Sequence, residues 1–345
     1  MVEEAAIVTI DEEIKQRYDR TMKCKTLRED TRFYTTRRAA LLSAQVTKRI
    51  LFTLVFSLLC VSCEYLGGLR GSSAKKATRE VQGLNGPIHS VAVATAMPVD
   101  KDGTWEPGEQ KLVSVETYDK KGNRTERVTY AADGTVSGKI AFIYDKQGNE
   151  TEAIWYNPAG TPQSRIISTY DDKGHKIEAR SYTANGALLR RAVFTYDARG
   201  NETAAHSYIP EGVLESSTVS TYDDNGNLEE TAWYYADGKQ QGQLVYKRDA
   251  KGTLLSSVAF EYAPDGTLQS RTDSTYDARG NPTEVIWYGD NSKSQKKENS
   301  TYRYDIFGNW TQQTTTKWAS TDSKSFFEPP IANYRTLTYY GKGAE

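Results

Sequence analysis

Short stretches in which apolar and polar residues alternate incompletely, so that apolar residues fall on both faces, run from about residue 112 to residue 310, and turn-forming residues separate them. Segments such as TERVTY, TEAIWY and LLRRAVFTY are rich in β-branched and aromatic residues, which favour strands. No window of the sequence carries an apolar stripe of helix length with a capping residue at each end. This pattern predicts an all-β fold in which short antiparallel strands follow one another through tight turns.

The turns recur with a fixed period, because copies or near-copies of the motif Tyr-Asp-x-x-Gly-Asn occur along the chain. They begin at Tyr118, Tyr144, Tyr170, Tyr196, Tyr222, Tyr276 and Tyr304, with a degenerate copy at Arg248. The starts are 26 residues apart up to Arg248 and 28 residues apart after it. A weaker turn unit follows most copies by about half a period, at Tyr130, Tyr156, Tyr182, Tyr208, Tyr234 and Tyr262. A constant spacing over such a span indicates a repeat architecture.

Each part of the motif has a role in a turn. Asp at the first position of a type I turn can bond the backbone two residues on, and Gly at the fourth position tolerates the left-handed conformation. The Tyr before the Asp ends a strand, where its ring can pack on the neighbouring hairpin while its hydroxyl stays in water. We therefore expect the 23 tyrosines to form mainly a structural ladder, with ligand stacking as the alternative role.

The Tyr-Asp-x-x-Gly-Asn copies resemble the YD repeat of the Rhs family, which is also found in toxin-encapsulating shells and in teneurins. The resemblance covers roughly residues 112–310 and implies a β-sheet that spirals as a succession of hairpins. The array is short, so we do not expect it to close a large shell. Segments 87–93 and 335–340 are typical of strands that cap a repeat array. The expected domain, 87–340, is a curved or spiralling antiparallel sheet of 26-residue repeats with a capping strand at each end.

The longest apolar run lies before the repeats, at residues 50–62, and it is too short to span a bilayer comfortably. Lys48 and Arg49 flank it, as in a secretory signal peptide. The run ends at Cys63, and a small residue before such a Cys resembles a bacterial lipoprotein cleavage site, although Cys60 stands where Leu is usual. We expect a signal peptide over 46–63 with lipidation of Cys63; a plain secretory signal, an uncleaved anchor and a core helix are the alternatives.

Two flanking segments complete the expected organisation. Residues 1–45 are too long for the charged start of a signal peptide, and we interpret them as an over-extended gene start or a disordered leader. Residues 64–86 are rich in Gly, Ser and charged residues, which is typical of a flexible tether between a lipid anchor and a folded body.

Composition and motifs exclude several functions. A net charge of −1 gives no basic footprint for nucleic acid. The sequence has no nucleophile elbow, phosphate loop or dinucleotide fingerprint. His89, His175 and His206 lie in no metal-ligand spacing, and the Asp100–Gly103 segment does not match a calcium loop. We therefore expect no metal and no cofactor.

The candidate binding residues are Trp155, Trp233 and Trp287. Each directly precedes the Tyr of a half-period turn unit, so its side chain lies on the face opposite that Tyr. On an exposed face the three would form a patch for a glycan or a protein partner; on an inner face they would be core. Other repeats carry residues such as Thr129 at this position.

These features favour a non-enzymatic surface or periplasmic lipoprotein of the bacterial cell envelope. Its lipid would anchor it to the membrane, and its sheet would bind a protein or glycan. One alternative is a structural or envelope-assembly protein. Another is a glycan-active hydrolase that uses carboxylates from separate strands, which a pair of inward carboxylates about 5 to 10 Å apart would favour.

Overall fold

The computed structural model describes residues 77–289, 294–320 and 325–341. The expected leader (1–45), the signal peptide (46–63) and its Cys63 lie outside the described residues. Within those ranges the chain forms one short helix, α1 (Thr78–Val81), and eighteen strands. The strands are β1 (Ile88–Lys101), β2 (Thr104–Tyr118), β3 (Arg124–Tyr130), β4 (Val136–Tyr144), β5 (Glu150–Tyr156), β6 (Pro162–Tyr170), β7 (Lys176–Thr183), β8 (Leu188–Tyr196), β9 (Glu202–Tyr208), β10 (Leu214–Tyr222), β11 (Leu228–Tyr235), β12 (Gln240–Arg248), β13 (Leu254–Tyr262), β14 (Leu268–Tyr276), β15 (Pro282–Tyr288), β16 (Ser294–Tyr304), β17 (Trp310–Ser320) and β18 (Ser325–Tyr339).

The strands form one closed antiparallel barrel. Each strand pairs with the strands before and after it in the sequence, and β18 also pairs with β1. The structure confirms the all-β antiparallel fold. The sheet is curved, as expected, but the expected spiral with a capping strand at each end is wrong, because the array closes on itself and a closed barrel has no free edge to cap.

The seam between β18 and β1 takes the place of one further motif turn. Tyr339 stands opposite Ile88, in the pairing that motif tyrosines make with the residue after the motif Asn elsewhere. Asn309, from the last motif turn, accepts a hydrogen bond from the Asn85 backbone N–H at 2.7 Å and donates one to the Tyr339 hydroxyl at 3.0 Å. The expected capping segments are thus the two sides of this seam, held in the register of the repeat.

The motif turns have the chemistry that the sequence predicts. In the turn at Asp197, the backbone N–H of Gly200 donates to the Asp197 carbonyl at 3.1 Å, and Gly200 has a φ of 84°. The Asn201 backbone N–H and side-chain amide both donate to the Asp197 carboxylate at 2.8 Å. These hydrogen bonds lower the pKa of Asp197, because they favour its charged form. The motif Asn therefore closes the turn through its two hydrogen bonds to the Asp carboxylate.

A β-bulge follows every motif turn and changes which residues face inward. After the turn at Tyr222, Thr221 pairs with Glu230 while Tyr222 pairs with Leu228, so Glu229 is an extra residue on its strand. Leu228 is 2% exposed, whereas the Glu229 side chain is exposed. The same shift occurs after the other seven motif turns. Bulges therefore explain why strict alternation fails in the sequence and why the residue after the motif Asn points inward.

The inner and outer faces differ in solvent exposure. Within β8, Ala192 and Phe194 are partly buried, while Arg191 and Thr195 are exposed. Cross-strand partners share a face, so the pairing carries this assignment from strand to strand around the barrel. The face of Ala192 and Phe194 is the inner one.

The tyrosines form two ladders. On the inner face, hydroxyls donate to the backbone carbonyl 20 residues earlier at 2.7–2.8 Å, in Tyr144, Tyr170, Tyr196 and Tyr222. The sequence suggested that these hydroxyls stay in water. They are instead hydrogen-bonded within the wall. On the outer face, a Lys or Arg lies 4.9–5.8 Å from the ring centre of Tyr156, Tyr182, Tyr208 and Tyr288.

A small apolar core lies beside the seam and includes part of the expected tether. Leu84, Ile88, Val91 and Tyr118 form a buried cluster, and Leu84 follows α1 closely. The Tyr118 hydroxyl contacts Gln82 at 2.5 Å. The flexible tether expected over 64–86 therefore does not extend to its last residues, because 78–84 form a helix and a packed segment.

Candidate binding site inside the barrel

The structure places the three candidate tryptophans on the inner face. Trp155 shares its face with the buried Ala153 and stands opposite Ser164. Trp233 stands opposite Thr218, and Trp287 opposite Thr272, at the equivalent places in their repeats. We expected tryptophans on an inner face to be core, but all three residues keep partial solvent access. They line the interior of an eighteen-strand barrel, a size class in which side chains leave an open lumen.

Two of these tryptophans have a distinct local setting. Trp233 lies close to Gly242, where an added Cβ would come 2.6 Å from the indole ring and 2.6 Å from the Phe260 carbonyl oxygen. The Lys296 ammonium lies 4.7 Å from the centre of Trp287. Glycine thus gives Trp233 room to lie along the wall, and Trp287 carries a neighbouring positive charge.

The tryptophans do not form one continuous patch. Trp233 lies six inter-strand steps beyond Trp155, and Trp287 lies four steps beyond Trp233. At about 4.8 Å per strand, these gaps are about 29 Å and 19 Å along the wall. Each Trp is therefore a separate contact point around the lumen.

A charged cluster on the inner face near the seam was not found from the sequence. The Glu116 carboxylate lies 3.0 Å from Arg124 Nη1 and 3.7 Å from Arg127 Nε. The Tyr118 hydroxyl donates to the same carboxylate at 2.6 Å, and burial together with that charge raises the pKa of Tyr118 strongly. We call Glu116, Arg124, Arg127 and the nearby Arg335 the seam cluster. It holds three arginines and one carboxylate.

Arg335 differs from Arg124 and Arg127 because no carboxylate among the described residues lies within ion-pair distance of it. Its guanidinium lies 3.7 Å from the centre of the Trp310 ring. Burial lowers the pKa of Arg335 to about 10, although Glu116 and the nearby tyrosines oppose this shift. The only sequence signal for this site was Trp310 itself, which follows a motif Asn and is turned inward by the bulge.

A second titratable group faces the lumen in another part of the wall. Glu202 follows a motif Asn, and burial raises its pKa to about 7, with Lys176 opposing the shift. Burial and the Glu202 charge raise the pKa of Tyr222 to about 12. The equivalent inward positions on either side of Glu202 hold Lys176 and Leu228, so neither neighbouring repeat supplies a second carboxylate there.

The histidines have structural contacts. His175 Nδ1 lies 3.0 Å from the Asp171 carboxylate, and its ring stacks on Tyr196 at 4.7 Å. His175 thus replaces the Asn of its motif turn. Across the described ranges there is no group of three His, Cys, Asp or Glu that could hold a metal ion. None of the helices described is long and apolar enough to cross a membrane.

Comparisons with known proteins give weak structural similarities. No protein-family model and no curated protein matches the chain. A porin-like protein from Bacteroides uniformis is similar at 11% identity with a TM-score of 0.40, covering 74% of this chain and 98% of that one. A DUF1329 family protein from Desulfovibrio piger gives 11% identity and 0.23, over 74% and 88%. The complex TcdB2-TccC3-TEV gives 11% and 0.26, over 68% of this chain and 19% of that one. With TM-scores this low, we draw no functional conclusion from these similarities.

Proposed function

We propose that the protein is an exported, lipid-anchored, non-enzymatic binding protein of the bacterial envelope whose ligand enters the barrel. The observation that carries this proposal is the inner face itself. Trp155, Trp233 and Trp287 line it and keep partial solvent access. A purely structural wall has no need of large aromatic rings facing an open lumen, whereas binding sites commonly present them.

A glycan suits this interior better than a folded protein does. The apolar face of a sugar ring can stack on an indole, and the polar residues beside the tryptophans, such as Ser164 and Thr218, can meet its hydroxyls. The wide spacing of the tryptophans favours a ligand that is long enough to touch the wall at more than one point. The repeat, which resembles the YD repeat of the Rhs family, serves in this proposal as the scaffold.

The test is a glycan-binding screen on the full chain followed by affinity measurements on single variants. Trp155→Ala, Trp233→Ala and Trp287→Ala remove the inner rings one at a time. Trp318→Ala is the matched control, because Trp318 lies on the outer face of β17, paired with Phe327. We expect at least one inner variant to lose about tenfold in affinity, the cost of one lost stacking contact, while the control keeps its affinity. Equal losses in the inner and outer variants would contradict the proposal.

The lipid anchor has its own test. Metabolic palmitate labelling should mark the parent protein, and Cys63→Ala should abolish the label. Absence of label in the parent would rule the anchor out and leave the binding proposal standing on the barrel alone.

Of the other functions, the hydrolase has the weaker basis. Glu202 has the raised pKa that a general acid needs, but the flanking inward positions supply no partner carboxylate. A structural or envelope-assembly role remains the alternative that the Trp variants test, because it predicts no glycan affinity to lose.

A further inference from the structure

We infer that the inner wall at the seam holds an oxyanion site, in which Arg335 and Arg127 bind a carboxylate, sulfate or phosphate group above Trp310. This inference rests on the proposed function, since it takes the ligand to enter the barrel, and it names the chemistry of one part of that ligand. The anion would lie in the seam cluster, away from the three tryptophans that the sequence singled out.

The geometry of Arg335 is the first argument. Its Nε is buried and has no hydrogen-bond partner among the described residues. Within the described ranges its one cation-π contact is with Trp310 at 3.7 Å, and no described carboxylate lies within ion-pair distance of it. A buried donor without an acceptor is costly, because it has lost its hydrogen bond to water and gained none in return. An oxyanion from the lumen would supply the missing acceptor.

The charge balance of the seam cluster is the second argument. Three arginines face one carboxylate, Glu116, which already accepts bonds from Arg124 and Tyr118. Arg127 Nε is buried, lies 3.7 Å from Glu116 and makes no hydrogen bond among the described residues. The cluster therefore carries two positive charges in excess, and one bound anion would reduce that excess.

The polar neighbours do not relieve Arg335, because they are bonded to one another. Thr95 donates to Asn333 at 2.7 Å, and Asn333 donates to Gln313 at 3.3 Å. Gln313 donates to the Tyr302 hydroxyl at 3.1 Å, and Tyr302 donates to a backbone carbonyl at 2.8 Å. This chain of bonds runs beside Arg335 without using it, so these neighbours leave the guanidinium available.

The chemistry of the site selects its ligand. A guanidinium presents paired donors that match the two oxygens of a carboxylate or of a sulfate, and Trp310 beneath it fixes its plane. Two sources could supply such a group: an acidic sugar of a bound glycan, or a free inorganic anion. Both sources present an oxyanion, and the experiment distinguishes between them.

The experiment measures binding by calorimetry at low ionic strength with three probes: a galacturonate trisaccharide, a neutral galactose trisaccharide and inorganic sulfate. The variants are Arg335→Gln, which removes the charge, and Arg335→Lys, which keeps the charge but loses the planar fork. Arg303→Gln is the matched control, because Arg303 is exposed on the outer face of β16, a nearby strand. Far-UV circular dichroism and the thermal midpoint confirm that each variant is folded.

We expect galacturonate to bind the parent, and Arg335→Gln to weaken it about 10- to 100-fold, as for a lost charged hydrogen bond. Arg335→Lys should lose less, and Arg303→Gln should bind like the parent. Arg335-dependent binding of sulfate but not of galacturonate would support the site and make a free anion its ligand. The inference is overturned if neither anion binds, or if Arg335→Gln and Arg303→Gln bind alike.

The outcomes also separate this inference from the proposed function. Binding of the neutral sugar that depends on an inner Trp but not on Arg335 supports glycan binding alone. Binding of an anion that depends on Arg335 but not on any of the three tryptophans supports the oxyanion site alone.

Discussion

Replacing Glu202 by Gln should change how the stability of the protein depends on pH. Glu202 faces the barrel interior between two partly buried motif tyrosines, Tyr196 and Tyr222, and burial raises its pKa from an ordinary 4.5 to about 7. The positive charge of Lys176 only partly offsets the effect of burial on this pKa. The folded protein therefore holds a proton that the unfolded chain gives up at lower pH.

The sign and size of the effect follow from the two pKa values. Below pH 4.5 the carboxyl is protonated in both the folded and the unfolded state, so ionisation of Glu202 does not lower the free energy of unfolding. Between pH 4.5 and pH 7 the unfolded chain binds fewer protons than the folded protein, so the free energy of unfolding falls as the pH rises. Above pH 7 the full cost applies, and a shift of this size corresponds to roughly 3 kcal/mol. Glu202→Gln removes that cost.

Urea unfolding followed by tryptophan fluorescence at several pH values measures this directly. The difference in unfolding free energy between Glu202→Gln and the parent should shift in favour of the variant by about 3 kcal/mol from pH 4 to pH 8. Glu229→Gln is the control, since Glu229 is the exposed bulge residue of the next repeat. The reasoning is refuted if the difference for Glu202→Gln is the same at both pH values.

Three further substitutions test other parts of the structure by thermal or urea unfolding. Arg335→Met should stabilise the apo protein by about 1 kcal/mol or more, because it replaces a buried and unpaired charge by an apolar side chain; a marked loss would show that Arg335 is structural. Gly242→Ala should cost about 1–3 kcal/mol, since the added Cβ would come 2.6 Å from both the Trp233 ring and the Phe260 carbonyl oxygen, and a neutral result would contradict these close contacts. Gly200→Ala should cost about 1 kcal/mol or more, because Gly200 has a φ of 84°, whereas unchanged stability would argue against that turn geometry.

Local structure was readable from the sequence because each motif residue acts locally. Asp197, Gly200 and Asn201 make their contacts within five residues, so the spacing of the motif predicts the turn. The inward or outward direction of side chains could be read for Trp155, which lies on a regular part of its strand. It could not be read for residues such as Trp310, because a bulge shifts them to the other face.

Closure and the seam cluster were not predictable, because they depend on contacts between distant parts of the chain. Ser90 and Thr338 meet across 248 residues, and nothing in either segment alone specifies that partner. The last strand resembled a cap because it lacks the motif, yet Tyr339 occupies the motif position at the seam. In the sequence nothing distinguishes Arg335 from the many other Lys and Arg residues. Only the fold shows that it lies over Trp310.

The closed barrel is the central claim, and a disulfide across the seam tests it most directly. The Ser90 and Thr338 hydroxyls lie 2.6 Å apart on paired, exposed positions of β1 and β18, so cysteines there meet the distance that a disulfide needs. In a chain whose three native cysteines are replaced by Ser, Ser90→Cys with Thr338→Cys should crosslink, as should the control pair Thr117→Cys with Thr125→Cys within one hairpin. Mass spectrometry of the oxidised peptides should show both bonds. Formation of the control disulfide without the seam disulfide would contradict closure and support an open sheet.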